Sequence, residues 1–90
     1  MKLEYTHAAI ADLIRLRQFI AARNPAAARR YSARLQKVIS RLADHPKLGK
    51  ELDEPVDVRE LAAGDYVVRY SVTSERIYIL RIWHGREARP

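Results

Sequence analysis

The stretch that most limits what this chain can become is its last third, Val58–Pro90, which reads VRELAAGDYVVRYSVTSERIYILRIWHGREARP. Three runs rich in Val, Ile and Tyr are separated only by a Gly-Asp break and a Ser-Glu break. That spacing predicts strands over Val58–Ala62, Tyr66–Thr73 and Arg76–Trp83, joined as an antiparallel meander. Side chains alternate across a strand, so Tyr66, Val68, Tyr70 and Val72 share one face of the middle strand. Tyr78, Leu80 and Ile82 share a face of the last strand with His84, and these two sets are the expected core faces. Arg69 and Arg81 then point to the other side of the sheet, as does Trp83, with His84, Arg86 and Arg89 near its rim.

The preceding residues supply what covers the core face. Leu3 and Tyr5 alternate with Lys2, Glu4 and Thr6 in a short opening strand. Thr6 is placed to cap a helix over about His7–Arg23. In that helix Ile10, Leu13, Ile14, Ile20 and Ala21 recur at helical spacing, widened by Leu16 and Phe19. Asn24-Pro25 ends it and starts the next, with proline at the position a helix best tolerates. A junction this short folds the helices back as an antiparallel hairpin. The second helix, Pro25 to about Asp44, is expected to bury Ala28, Tyr31, Leu35, Val38, Ile39 and Leu42, and His45-Pro46 stops it. Lys47–Val56 reads as a loop. The expected fold is α+β, in the order β-α-α-β-β-β. It is a single domain over residues 1–90, with the strand and helical hairpin packed on one face of a small, mostly antiparallel sheet.

Charge narrows the partners. Seventeen Lys and Arg against eleven Asp and Glu give a net charge of +6, which suits an anionic partner. No acid occurs between Asp12 and Asp44, a span holding Arg15, Arg17, Arg23, Arg29, Arg30, Arg34, Lys37 and Arg41. Acids cluster instead at Glu51, Asp53, Glu54, Asp57 and Glu60. The helices should therefore present a positive surface to an acidic protein. There is no cysteine, hence no disulfide framework, and no apolar run of membrane-spanning length. The reading is a cytoplasmic protein with no membrane contact. No Gly-rich phosphate loop or His-x-x-x-His pair occurs, and His7, His45 and His84 are scattered, so no metal and no cofactor are expected.

The order V-R-E-L, G-x-Y-x-x-R-Y, I-Y-I-L-R-I-W-H-G-R-E resembles the C-terminal signature of the RelE/ParE superfamily of type II toxin–antitoxin toxins. Ala8, Asp12-Leu13 and His45-Pro46 with Gly49 fit upstream, and the ending looks more like ParE than like the RelE ribonucleases. The resemblance implies a toxin that inhibits DNA gyrase by binding it and trapping cleaved DNA, without catalysing a reaction, within a plasmid-stabilisation module. It also implies neutralisation by a small antitoxin with an acidic tail, in a toxin–antitoxin hetero-oligomer. Candidate target contacts are Arg69, Arg81, Trp83, His84, Arg86 and Arg89. Candidate antitoxin contacts are Arg15, Arg30, Arg34, Lys37 and Arg41.

The alternative is a RelE-like, ribosome-dependent mRNA endonuclease. Cleavage through the 2′-hydroxyl needs an acid, a base and cations on the phosphate. Arg59, Arg69, Arg81 and Arg86 could supply the cations and His84 the proton transfer. Many such toxins carry a tyrosine or second histidine near the C-terminus. Here only Arg86, Glu87 and Arg89 follow His84, and arginine does not titrate in range. A simpler role for Arg69 and Arg81 is cross-strand pairing with Glu60 or Glu75.

Overall fold

The longest strand, at the end of the chain, receives the first strand beside it. The computed structural model describes residues 1–87. In chain order these form β1 (Lys2–Tyr5), α1 (His7–Ala21), α2 (Pro25–Ser40), a 3-10 turn (Arg41–Ala43), β2 (Lys50–Glu51), β3 (Val58–Ala63), β4 (Tyr66–Val72) and β5 (Arg76–His84). The five strands make one sheet in the order β1-β5-β4-β3-β2. β1 runs parallel to β5, with Lys2 opposite Arg76 and Tyr5 opposite Ile79; the remaining pairs are antiparallel. The α+β order expected from the sequence is therefore present. The added piece is β2, a two-residue strand within what the sequence suggests is only loop.

Both helix starts are built as the sequence indicates. The Thr6 hydroxyl accepts from the Ala9 N–H at 3.1 Å, and the Asn24 side chain accepts from the Ala27 N–H at 3.1 Å with Pro25 in the first turn. Each satisfies an amide that the helix itself leaves unpaired. The core then forms where Leu16, Leu35, Ile39 and Leu42 meet Val68, Tyr70, Ile77, Ile79 and Ile82.

Two face assignments need correction. On β5 the core residues are Ile77, Ile79 and Ile82, while Tyr78 and Leu80 are only half-buried. The cause is a bulge. The register passes from Arg69 opposite Arg81 to Tyr70 opposite Ile79, leaving Leu80 as an extra residue. One inserted residue reverses the alternation, so strict period two fails across it. On α1 the inward residues are Ala9, Asp12 and Leu16, with Leu13 and Ile20 packed beside the core. Ile10, Ile14 and Phe19, expected inside, are exposed, and so is Tyr31 on α2. The stripe is turned because its centre is a carboxylate, Asp12, and not an isoleucine.

The loop after α2 is stitched to the core by one side chain. The Tyr70 hydroxyl donates to the Pro46 carbonyl at 2.8 Å and accepts from the Gly49 N–H at 2.8 Å. A Cβ on Gly49 would stand 2.7 Å from that hydroxyl and 2.8 Å from the Glu60 carbonyl oxygen. Glycine is thus required by close approach. Tyr70→Phe should lower stability by about 1–3 kcal/mol, because it strands the Gly49 amide. Gly49→Ala should cost more than Tyr70→Phe, since backbone as well as a side chain must move. Urea unfolding of the two variants checks both magnitude and order.

Candidate functional site

β1 stops at Tyr5, so the outer edge of β5 beyond Ile79 has no strand beside it. Side chains from the helix entry take over. Thr6 donates its N–H to the Ile79 carbonyl at 3.1 Å, and its hydroxyl lies 3.0 Å from the carbonyls of Ile79 and Leu80. Six residues later Asp12 accepts from the Ile82 N–H at 2.8 Å. The same carboxylate accepts from Arg81 through Nε at 2.8 Å and Nη2 at 3.1 Å, and from Arg15. Arg15 also donates to the Ile82 carbonyl at 3.2 Å and to Glu87 at 2.8 Å. Asp12 is 1% exposed. Burial opposes its charge, but hydrogen bonds from Arg81, the Ile82 amide and Arg15, with the Arg81 charge, hold its carboxyl below the usual range.

Arg81 is therefore not on the open sheet face with Arg69, although the two are opposite in register. Its guanidinium turns to α1. On the second sheet face Arg69 grips Glu60 at 2.6 and 2.9 Å and lies 5.1 Å over the Trp83 ring. The cross-strand pair with Glu60 anticipated from the sequence is thus present. Trp83 is 2% exposed. Arg59 donates to the Gly49 carbonyl at 2.8 Å and stands 3.9 Å from Glu51. His84 is separated from these groups. It lies opposite Tyr66 on the core side, edge-on to that ring at 5.2 Å, and its Nδ1 accepts from the Arg86 N–H at 3.0 Å. Arg86 is exposed, and Arg89 lies outside the described residues.

The helix cations behave differently. Arg30, Arg34, Lys37 and Arg41 are exposed and fall four, three and four residues apart, one stripe of α2 and the turn after it. Among the described residues no carboxylate pairs with them. Arg15, grouped with them on sequence grounds, belongs instead to the Asp12 cluster. Tyr31, Arg34 and Val38 also line a cleft against Ala63 and Tyr66, which the sequence does not reveal. Among the described residues no three histidine or carboxylate side chains converge as metal ligands would.

The family model described as ParE toxin of type II toxin-antitoxin system, parDE, matches residues 3–89. The chain belongs to the ParE toxin family. That family lies in the RelE/ParE superfamily of type II toxin–antitoxin toxins. Among curated relatives, Toxin RelE2 of Caulobacter vibrioides is 36% identical over 82 residues, covering 90% of this chain and 91% of that protein. Toxin RelE1 of the same organism is 30% identical over 80 residues, covering 87% and 86%. Among solved structures, the chromosomal ParDE system from P. aeruginosa matches with a TM-score of 0.82 at 24% identity, over 93% of this chain and 95% of that one. The RelBE2 toxin–antitoxin complex from Mycobacterium tuberculosis matches at 0.68 and 23% identity, over 92% and 95%. These likenesses establish a common fold.

Within this ParE-family chain, the residue that sequence reasoning undervalued is Asp12. Its signal was available: one carboxylate at the centre of the Ala9–Leu16 stripe, with no other acid until Asp44. Because the folded carboxyl is held below its unfolded value of about 3.9, its contribution is complete above that value. It is lost as pH falls through the lower folded value. Asp12→Asn should cost about 3 kcal/mol at neutral pH, the low end for breaking a buried pair because Arg15 and Arg81 reach solvent. The variant should also lose part of the stability decline below about pH 4. Urea midpoints from pH 2 to pH 7 measure both effects.

Proposed function

We propose that this toxin acts on DNA gyrase by binding, and not by cleaving mRNA. The observation that carries the reading is the state of the arginines. A phosphodiester-cleaving site needs cations and a proton-transfer group converging on one phosphate. Here Arg69 is held by Glu60, Arg81 by Asp12 and Arg59 by the Gly49 carbonyl. His84, the one titratable candidate near them in sequence, sits on the opposite side of the sheet from Arg69 and Trp83. Its Nδ1 already accepts from the Arg86 amide. Such a surface is fixed in shape and charge, as suits docking onto a large partner. Arg86 and the sheet rim around Arg69 are the proposed target contacts, with Trp83 supporting Arg69 from beneath.

The family match and the likeness to a ParDE system support this reading and a cognate antitoxin. The positive, unpaired stripe on α2 is the surface we assign to that partner, in a toxin–antitoxin hetero-oligomer. An mRNA endonuclease is the second reading, favoured by the names of the Caulobacter vibrioides relatives, Toxin RelE2 and Toxin RelE1. Among the described residues no helix is long and apolar enough to cross a membrane.

The deciding experiment is a gyrase supercoiling assay on the purified, folded chain, run beside mRNA cleavage in a translating extract. Inhibition with accumulated linear DNA, and intact mRNA, is the expected result. Arg86→Glu should weaken that inhibition about tenfold or more. Site-specific mRNA cleavage abolished by His84→Ala, with gyrase untouched, would replace this reading by the endonuclease.

A further inference from the structure

One feature outside the proposed target surface has the form of a recognition site. Between α2 and the β3–β4 turn lies a cleft of about 220 Å³. Its floor is core: Leu35 is 5% exposed and Tyr66 8%. Tyr31, 41% exposed, stands beside it with its ring centroid 6.4 Å from that of Tyr66 at a 54° tilt. Val38 and Ala63 complete the apolar wall. The mouth is open on the turn side, where a Cβ on Gly64 would meet nothing within 4 Å.

The volume lies below the roughly 300–1,000 Å³ of small-molecule and cofactor sites. A cleft this size takes one side chain. Two neighbouring aromatic rings over an apolar floor favour an aromatic or branched aliphatic group. The rim decides what flanks that group. Arg34 stands on the helix side and Asp65 on the turn side, so an incoming carboxylate is drawn toward α2 and repelled from the turn. Along α2 and its following turn, Arg30, Arg34, Lys37 and Arg41 extend that preference over about 16 Å at 1.5 Å per residue.

We infer that this cleft is the anchor pocket for the antitoxin. It receives one bulky apolar side chain from an acidic segment whose carboxylates lie along the Arg30–Arg41 stripe. The inference rests on the toxin reading and adds the chemistry of the partner segment. The apolar anchor sets the lifetime of the complex, while the arginine stripe sets its rate of formation and its register.

The test uses the full chain and the antitoxin encoded in the same module, with binding followed by stopped-flow and surface methods. Tyr31→Ala should speed dissociation about tenfold or more and leave association nearly unchanged. Tyr31→Phe, which keeps the ring, should bind as the parent chain does. Arg34→Glu should slow association and flatten its dependence on salt. Lys47→Glu, an equal charge change on the exposed loop after α2, should alter neither rate more than about twofold. Thermal melts confirm that each variant is folded. Tyr31→Ala and Arg34→Glu binding within about twofold of the parent overturns the anchor pocket. So does self-association of the free chain that Tyr31→Ala abolishes, since the cleft would then serve a second copy. Failure of the parent chain to bind that antitoxin at all strikes the toxin reading itself.

Discussion

The carboxylate of Asp12 is the interaction on which the arrangement of this protein turns. A five-stranded sheet whose first strand spans four residues leaves the far half of β5 exposed at its edge, and open edges invite unwanted pairing. Asp12 closes that gap from the helix. It takes the Ile82 amide in place of a neighbouring strand and fixes the rotation of α1. It also gathers Arg15 and Arg81 into a pair that repays its burial. The exposure of Ile10 and Ile14 follows from the same choice, because a helix aimed by Asp12 cannot also aim those residues inward.

This use of arginine has a functional meaning. The four arginines of the sheet strands, Arg59, Arg69, Arg76 and Arg81, serve the fold, and each is answered by a carboxylate or a carbonyl. The cations of α2 are answered by none among the described residues. Structural and recognition charge are thereby divided between the two layers of the molecule. A sheet whose arginines are committed is a rigid surface; a helix whose arginines are free is a surface awaiting neutralisation. That division is the physical basis of our proposal that the toxin acts through shape and not by stabilising a migrating charge.

Much of this was legible in the residues. The Thr6 and Asn24-Pro25 signals located both helix starts, because capping is a local matter of one side chain and one amide. The β4 face was legible because Tyr66, Val68 and Tyr70 alternate without interruption. The β5 face was not: the bulge at Leu80 is a property of how two strands fit, and no residue of IYILRIW announces it. On α1 the error was one of phase. Ile10 and Ile14 outweigh Ala9 and Asp12 in hydrophobicity, but a paired, hydrogen-bonded carboxylate can hold the centre of a core-facing stripe. The separation of His84 from Arg69 was implicit in the alternation, whereas the turning of Arg81 toward α1 depended on Asp12. The cleft at Tyr31 joins residues some thirty positions apart and has no local signature.

The pairing of β1 with β5 also orders events in time. β1 has a single strand neighbour, and α1 is fastened by contacts to Ile79, Leu80, Arg81 and Ile82. A ribosome makes those partners some seventy residues after β1 and α1, so these two elements wait for them while synthesis proceeds. Until β5 emerges, neither the sheet edge nor the helical hairpin has its final support. Assembly of the toxin fold thus waits on β5, and a message cut short before it yields a chain that cannot assemble this surface.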